Sequence, residues 1–150
     1  MFFPKKTKYR KFMKGRIHGI NTKGATLSYG VGSVKSGVSG CYGLKALTPG
    51  RVTSREIESA RMAVKKIARS GRLWIRIFPD IAVSGKPAEV RMGKGKGDID
   101  RWVCRVKPGT IIFEIDGVEF DSAKAALEMA ANKLSVCAKV VSILDSGMLV

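Results

Sequence analysis

The densest set of chemically useful residues is Val90-Arg91-Met92-Gly93-Lys94-Gly95-Lys96-Gly97, where three glycines space three cations ahead of Asp98-Ile99-Asp100. Glycine lacks a Cβ and reaches positive φ, so such a loop can lie close against another surface. If that surface is a polyanion, Arg91 offers a planar fork of donors and Lys94 and Lys96 offer point charges. An isolated Gly/Lys run fits a solvated linker equally well, so the rest of the chain must decide. Acid–base catalysis here would need a partner for Asp98 or Asp100. These carboxylates stand two residues apart with no histidine beside them, and charge compensation of neighbouring lysines is their expected role.

The elements around this loop are strongly and unevenly charged. The chain has 28 Lys+Arg against 12 Asp+Glu, a net charge of +16 on 150 residues. The balance is +12 over residues 1–55, which hold no acid, then +6 over 56–106 and −2 over 107–150. A surface built for solubility intersperses the signs, whereas a one-sided basic half is an electrostatic footprint for nucleic acid. The candidate nucleic-acid contacts in this half are Lys5, Lys6, Lys8, Tyr9, Arg10, Lys11, Lys14 and Arg16, followed by Lys45, Arg51 and Arg55. A membrane-surface helix would oppose a basic face to a bulky apolar one. Pro4-Lys5-Lys6-Thr7-Lys8-Tyr9-Arg10-Lys11 is instead cationic all round, and no membrane partner is expected. An acidic protein partner is a weaker alternative.

Other chemistries lack their residues. Cys41, Cys104 and Cys137 form no Cys-x-x-Cys pair and His18 is the single histidine, so no clustered zinc ligands are expected. The spacing of Gly32 and Gly37 resembles a phosphate loop, but Val38 stands where lysine is required. No cofactor is therefore expected. No run approaches the ~18 apolar residues of a transmembrane helix, and the N-terminus has neither a signal peptide's apolar core nor a presequence's serine-rich amphipathicity.

The pattern predicts a basic arm over residues 1–24 that orders on its partner, then a single α+β domain over 25–150. Leu27 to Tyr29 and Tyr42 to Leu47 are short strand candidates. Thr53-Ser54-Arg55-Glu56 is a capping box opening a helix with Ile57, Ala60, Val64, Ile67 and Ala68 on its apolar stripe. Gly71 is its expected C′ stop. Arg61, Lys65 and Arg69 line up beside the stripe with no acid beyond Glu58, and read as a phosphate-facing edge rather than an ordinary solvated face. Arg72 to Phe78 alternates as a strand ended by Pro79, with Trp74 and Phe78 read as packing residues rather than base platforms and Arg76 as a further RNA contact. Trp102 to Val106 and Thr110 to Ile115 are strands around Lys107-Pro108-Gly109. Asp116-Gly117 marks a turn. Asp121 or Ser122 should cap a second helix that buries Ala123, Ala126, Leu127, Ala130 and Leu134, and Val140 to Leu144 forms a last strand.

Five collinear blocks resemble one family: Pro4 to Lys11, Gly43-Leu44-Lys45-Ala46, Thr53 to Arg61, Leu73-Trp74-Ile75-Arg76-Ile77-Phe78-Pro79-Asp80, and Val90 to Gly97. They are similar to the large-subunit ribosomal protein L-sixteen family, which has archaeal and eukaryotic L-ten-e counterparts. The resemblance implies an α/β-hammerhead-type fold with two helices packed on antiparallel or mixed strands. It also implies contacts to large-subunit (23S-type) rRNA and neighbouring ribosomal proteins, and a place beside the aminoacyl-tRNA site. The loop Arg91, Met92, Gly93, Lys94, Gly95, Lys96, Gly97 would then lie near tRNA. The arginine matching Arg91 is hydroxylated in some bacterial members. The family joins the equivalents of Tyr29-Gly30 and Tyr42-Gly43 almost directly, so residues 31–41 read as a loop insertion. The expected setting is a bacterial cytoplasmic ribosome, with an organellar ribosome as the alternative. An RNA-acting enzyme and a free-standing nucleic-acid-binding module are the competing functions. The first lacks an acid–base pair and the second a helix-turn-helix or zinc-finger spacing.

Overall fold

The computed structural model describes residues 2–30 and 40–143. Most of the 31–41 insertion, and the Leu144 end of the expected last strand, lie outside the described residues. The elements run β1 (Tyr42–Ala46), β2 (Gly50–Thr53), α1 (Ser54–Ile67), β3 (Arg72–Ile75), β4 (Ile81–Gly85), β5 (Asp98–Val106), β6 (Ile111–Asp116), α2 (Phe120–Ala131) and β7 (Ala138–Ser142). They make an α+β domain with two antiparallel sheets, ordered β3-β6-β1-β7 and β2-β5-β4.

Helix α1 starts where the capping box places it. Thr53 Oγ1 accepts from the Glu56 N–H at 3.2 Å, and Glu56 Oε2 accepts from the Thr53 N–H at 3.4 Å. These bonds satisfy two of the donors that a helix N-terminus leaves open. Ile57, Ala60 and Val64 are fully buried and Ala68 nearly so, which makes the stripe the helix's core face, but Ile67, expected on it, is 40% exposed at the helix end. The helix ends at Ile67, with Ala68 as its cap, three residues before the expected glycine stop. Gly71 is glycine for a steric reason instead. A Cβ there would lie 2.4 Å from Val118 Cγ2 and 3.1 Å from the Ile115 side chain.

The four-stranded sheet has two differently covered faces. Leu44, Ala46, Phe113 and Ile115 join α1 and α2 in the main core. The register pairs Glu114 with both Gly43 and Trp74, which sets all three on the opposite face. Residues 24–30 cover that face. Leu27 is not in a strand as expected, yet it is a core residue at 2% exposure. It fills the space left by Gly43, whose Cβ would stand 2.4 Å from Leu27 Cδ2. Covered on both sides, all six residues of β6 are buried.

Several other expectations need correction. The strand from Arg72 ends at Ile75, and Phe78 is half-exposed at 49% rather than packed. Trp74 stacks on Tyr29, ring centroids 6.1 Å apart. Helix α2 begins at Phe120 with Glu119 at its N-cap and no side-chain cap bond, so neither Asp121 nor Ser122 caps it. Leu134 lies past the helix end but still packs against the core. Strand β5 starts four residues before the expected Trp102, and β2 and β4 complete its sheet on either side.

Candidate nucleic-acid interface

The Gly/Lys loop joins β4 to β5 at the edge of the three-stranded sheet. Gly93, Lys94 and Gly95 take φ of 94°, 53° and 93°, three consecutive left-handed residues. Two are glycine, the residue that adopts this region without steric cost, and Lys94 is held between them. Gly97 closes the base of the loop, where a Cβ would fall 2.1 Å from the Gly85 carbonyl oxygen. The Lys86 ammonium donates to the Gly93 carbonyl at 2.5 Å and braces the turn from inside. Arg91, Met92 and Lys94 stand exposed, Met92 at 98%. Arg91 and Lys94 have no hydrogen-bond or ion-pair partner among the described residues.

Lys96 is used differently. Its ammonium donates to the Phe12 carbonyl of the arm, while Lys11 donates to the Lys96 carbonyl at 2.7 Å. Lys11 also lies 3.8 Å from Asp98, and Asp100 pairs with Arg101 at 2.9 Å. Both acids after the loop thus neutralise cations, the first of them on the arm rather than in the loop.

The arm continues across the domain. Arg51 Nη2 donates to the Gly15 carbonyl at 2.7 Å, and the Asn21 N–H donates to the Pro108 carbonyl at 2.9 Å. Gly15, at φ 65°, lets the arm press onto Arg105, whose Nη1 would be 2.9 Å from a Cβ there. Lys5, Lys6, Arg10, Lys14 and Arg16 are exposed without partners among the described residues, and Lys8 sits 5.5 Å above the exposed Tyr9 ring. Lys45 is half-buried in β1, and Arg55 is exposed in the first turn of α1.

The edge of α1 is less free than its spacing suggests. Arg61 forms an ion pair with Glu58 at 2.5 Å, and this hydrogen bond lowers the carboxyl pKa and raises that of the guanidinium. Lys65 donates to the Gly71 carbonyl at 2.6 Å, tying the helix end to the start of β3. Arg69 is exposed beyond the helix end. Exposed pairs of this kind contribute at most about 1 kcal/mol. Replacing Arg61, Lys65 and Arg69 together by glutamine should therefore change unfolding free energy by no more than about 1 kcal/mol. Affinity for RNA, followed by filter binding, should fall. A collapse of thermal stability would show that the bonds of Arg61 to Glu58 and of Lys65 to Gly71 hold the fold together.

Arg76 turns inward. Its Nη1 lies 2.5 Å from Glu114 Oε1 and also donates to the Thr26 carbonyl, and the guanidinium lies 5.6 Å from the Tyr29 ring centroid. Glu114, at 0% exposure, further accepts from the Tyr29 N–H at 2.8 Å. Beside it, burial first and then the Glu114 charge push the Cys41 thiol up to about 11. Sequence reasoning did not single out this node. Its signal is a glutamate inside the apolar run Ile111-Ile112-Phe113-Glu114-Ile115.

Chemically, the arrangement is a basic surface made of an arm, a glycine loop and scattered strand residues. Among the described residues, no group of three or more His, Cys, Asp and Glu could hold a metal ion, and no helix is long and apolar enough to cross a membrane. Fold and surface together define a small α+β domain with a strongly cationic surface. The chain belongs to the ribosomal protein L16p/L10e family, whose model matches residues 4–141. It is 53% identical over 149 residues to large ribosomal subunit protein uL16 of Caulobacter vibrioides, covering 99% of this chain and 97% of the relative. It is 56% identical over 143 residues to the protein of that name from Rhodopseudomonas palustris, covering 95% and 97%. The Erythrobacter litoralis uL16 is 57% identical, over 95% of this chain and 92% of its own. The chain is thus a ribosomal protein of bacterial type, and not an enzyme.

Proposed function

We propose that the protein is a structural constituent of the large ribosomal subunit that binds 23S-type rRNA and supports subunit assembly. In this reading residues 1–24 are an RNA-binding arm, and Arg91 to Gly97 contact tRNA near the aminoacyl-tRNA site. The observation that supports the reading is the surplus of exposed cations on the arm and loop without partners among the described residues, against neighbouring acids that are already paired. Such cations neutralise phosphate and release counterions. Neighbouring ribosomal proteins would meet the less basic C-terminal third. The family and its bacterial relatives favour a ribosome in the bacterial cytoplasm over an organellar one.

The test uses the arm. Residues 1–16 contain seven cations, Lys5 through Arg16. Each phosphate neutralised adds about 0.7–0.9 to the slope of log K against log salt, so their removal should reduce the slope by up to about five or six. Filter-binding titrations with an rRNA fragment read this directly. An unchanged slope would remove the arm from the interface. Failure of the full chain to co-sediment with large subunits would overturn the ribosomal assignment itself.

A further inference from the structure

A groove of about 630 Å³ lies between the arm and the end of β5, away from the Gly/Lys loop. Its polar lining includes Arg16, His18, Arg105 and Lys107, together with the inward-turned Arg76, and it contains no carboxylate. The first four are exposed, and none of their side chains has a hydrogen-bond or ion-pair partner among the described residues. The floor is apolar, with Ile17, Ile77 and the half-buried Cys104. Phe78 supplies an aromatic wall. It is 49% exposed, because β3 has ended at Ile75 and Pro79 follows at once.

This combination selects a ligand with a flat apolar body and a negative charge at its side. The volume is that of a small-molecule site, far too small for a duplex. A nucleotide still in its helix has both base faces stacked, so only an unstacked one can offer a ring face to Phe78. We propose that this groove receives one extrahelical nucleotide of RNA, its base against Phe78 and its flanking phosphates beside Arg16 and Arg105. The inference rests on the RNA-binding reading above and adds a shape preference that charge alone does not give.

Full-length protein is titrated with two RNA hairpins that differ only by a single bulged adenosine. Loss of one base–aromatic stack typically costs about tenfold or more in affinity, so the bulged hairpin should bind about tenfold more tightly. Phe78→Ala should bring that ratio close to one while leaving the salt slope and the affinity for the paired hairpin unchanged. Phe78→Tyr should keep the preference. If alanine lowers the melting temperature, Phe78→Leu retains apolar volume without the ring and should give the same loss. Equal affinity of the native protein for both hairpins, with salt dependence intact, overturns the groove and leaves RNA binding standing. A preference that survives both Phe78→Ala and Phe78→Leu also overturns it. Absence of salt-dependent binding to either hairpin removes the RNA-binding reading as well.

Discussion

Alanine at Glu114 is expected to lower the free energy of unfolding by about 3–5 kcal/mol, the usual cost of removing one partner from a buried ion pair. The carboxylate is fully buried, and the side chain of its partner Arg76 is only 16% exposed. Its removal leaves that guanidinium, and the N–H groups of Ser28 and Tyr29, facing an acceptor that is no longer there. Glutamine at the same position keeps an oxygen for the N–H groups but not the charge, and should fall between native and alanine. Urea unfolding followed by circular dichroism measures both. A loss under about 1 kcal/mol for alanine would place the pair with ordinary surface pairs and show that water reaches it.

The second large effect is functional. Large subunits carrying Arg91→Ala with Lys94→Ala should contain the protein at normal stoichiometry yet bind aminoacyl-tRNA at least about tenfold more weakly. Hydrogen bonds to charged groups are worth about 1.5–3 kcal/mol each, and about 1.4 kcal/mol is a factor of ten. These two residues are chosen because neither has a partner among the described residues, so their loss should leave the fold untouched. Lys96→Ala is a poorer probe, since it also cuts the bond to Phe12. Unaltered tRNA binding at physiological salt would reduce the loop to a linker.

What the sequence revealed follows from how local each signal is. The capping box and the i, i+3, i+4 stripe of α1 are decided within a few residues, and both were legible. The Gly/Lys loop was legible because its glycines mark the positive φ that the backbone adopts. Strands β2 and β4 were not, because Gly50-Arg51-Val52-Thr53 and Ile81-Ala82-Val83-Ser84-Gly85 are too short to show alternation and become strands only by pairing with β5. The same holds for side-chain use. Arg61, Lys65 and Arg76 look alike as uncompensated cations, and only the tertiary structure assigns them to Glu58, the Gly71 carbonyl and Glu114. The groove at Phe78 was invisible for a related reason. It draws on the arm, the end of β3 and the end of β5, and the alternation that suggested a packed Phe78 stops before reaching it.

The exchange in which Lys11 binds the Lys96 carbonyl while Lys96 binds that of Phe12 links two segments some 85 residues apart in sequence. Neither segment can wander independently while both bonds hold, so the arm and the loop draw on a common store of conformational entropy. If both met a polyanion, whichever docked first would restrain the other, and the second contact would form at a smaller entropic cost. Cooperative seating of arm and loop would therefore need no shift in the domain beneath them, only Lys11 holding the loop's backbone and Lys96 holding the arm's.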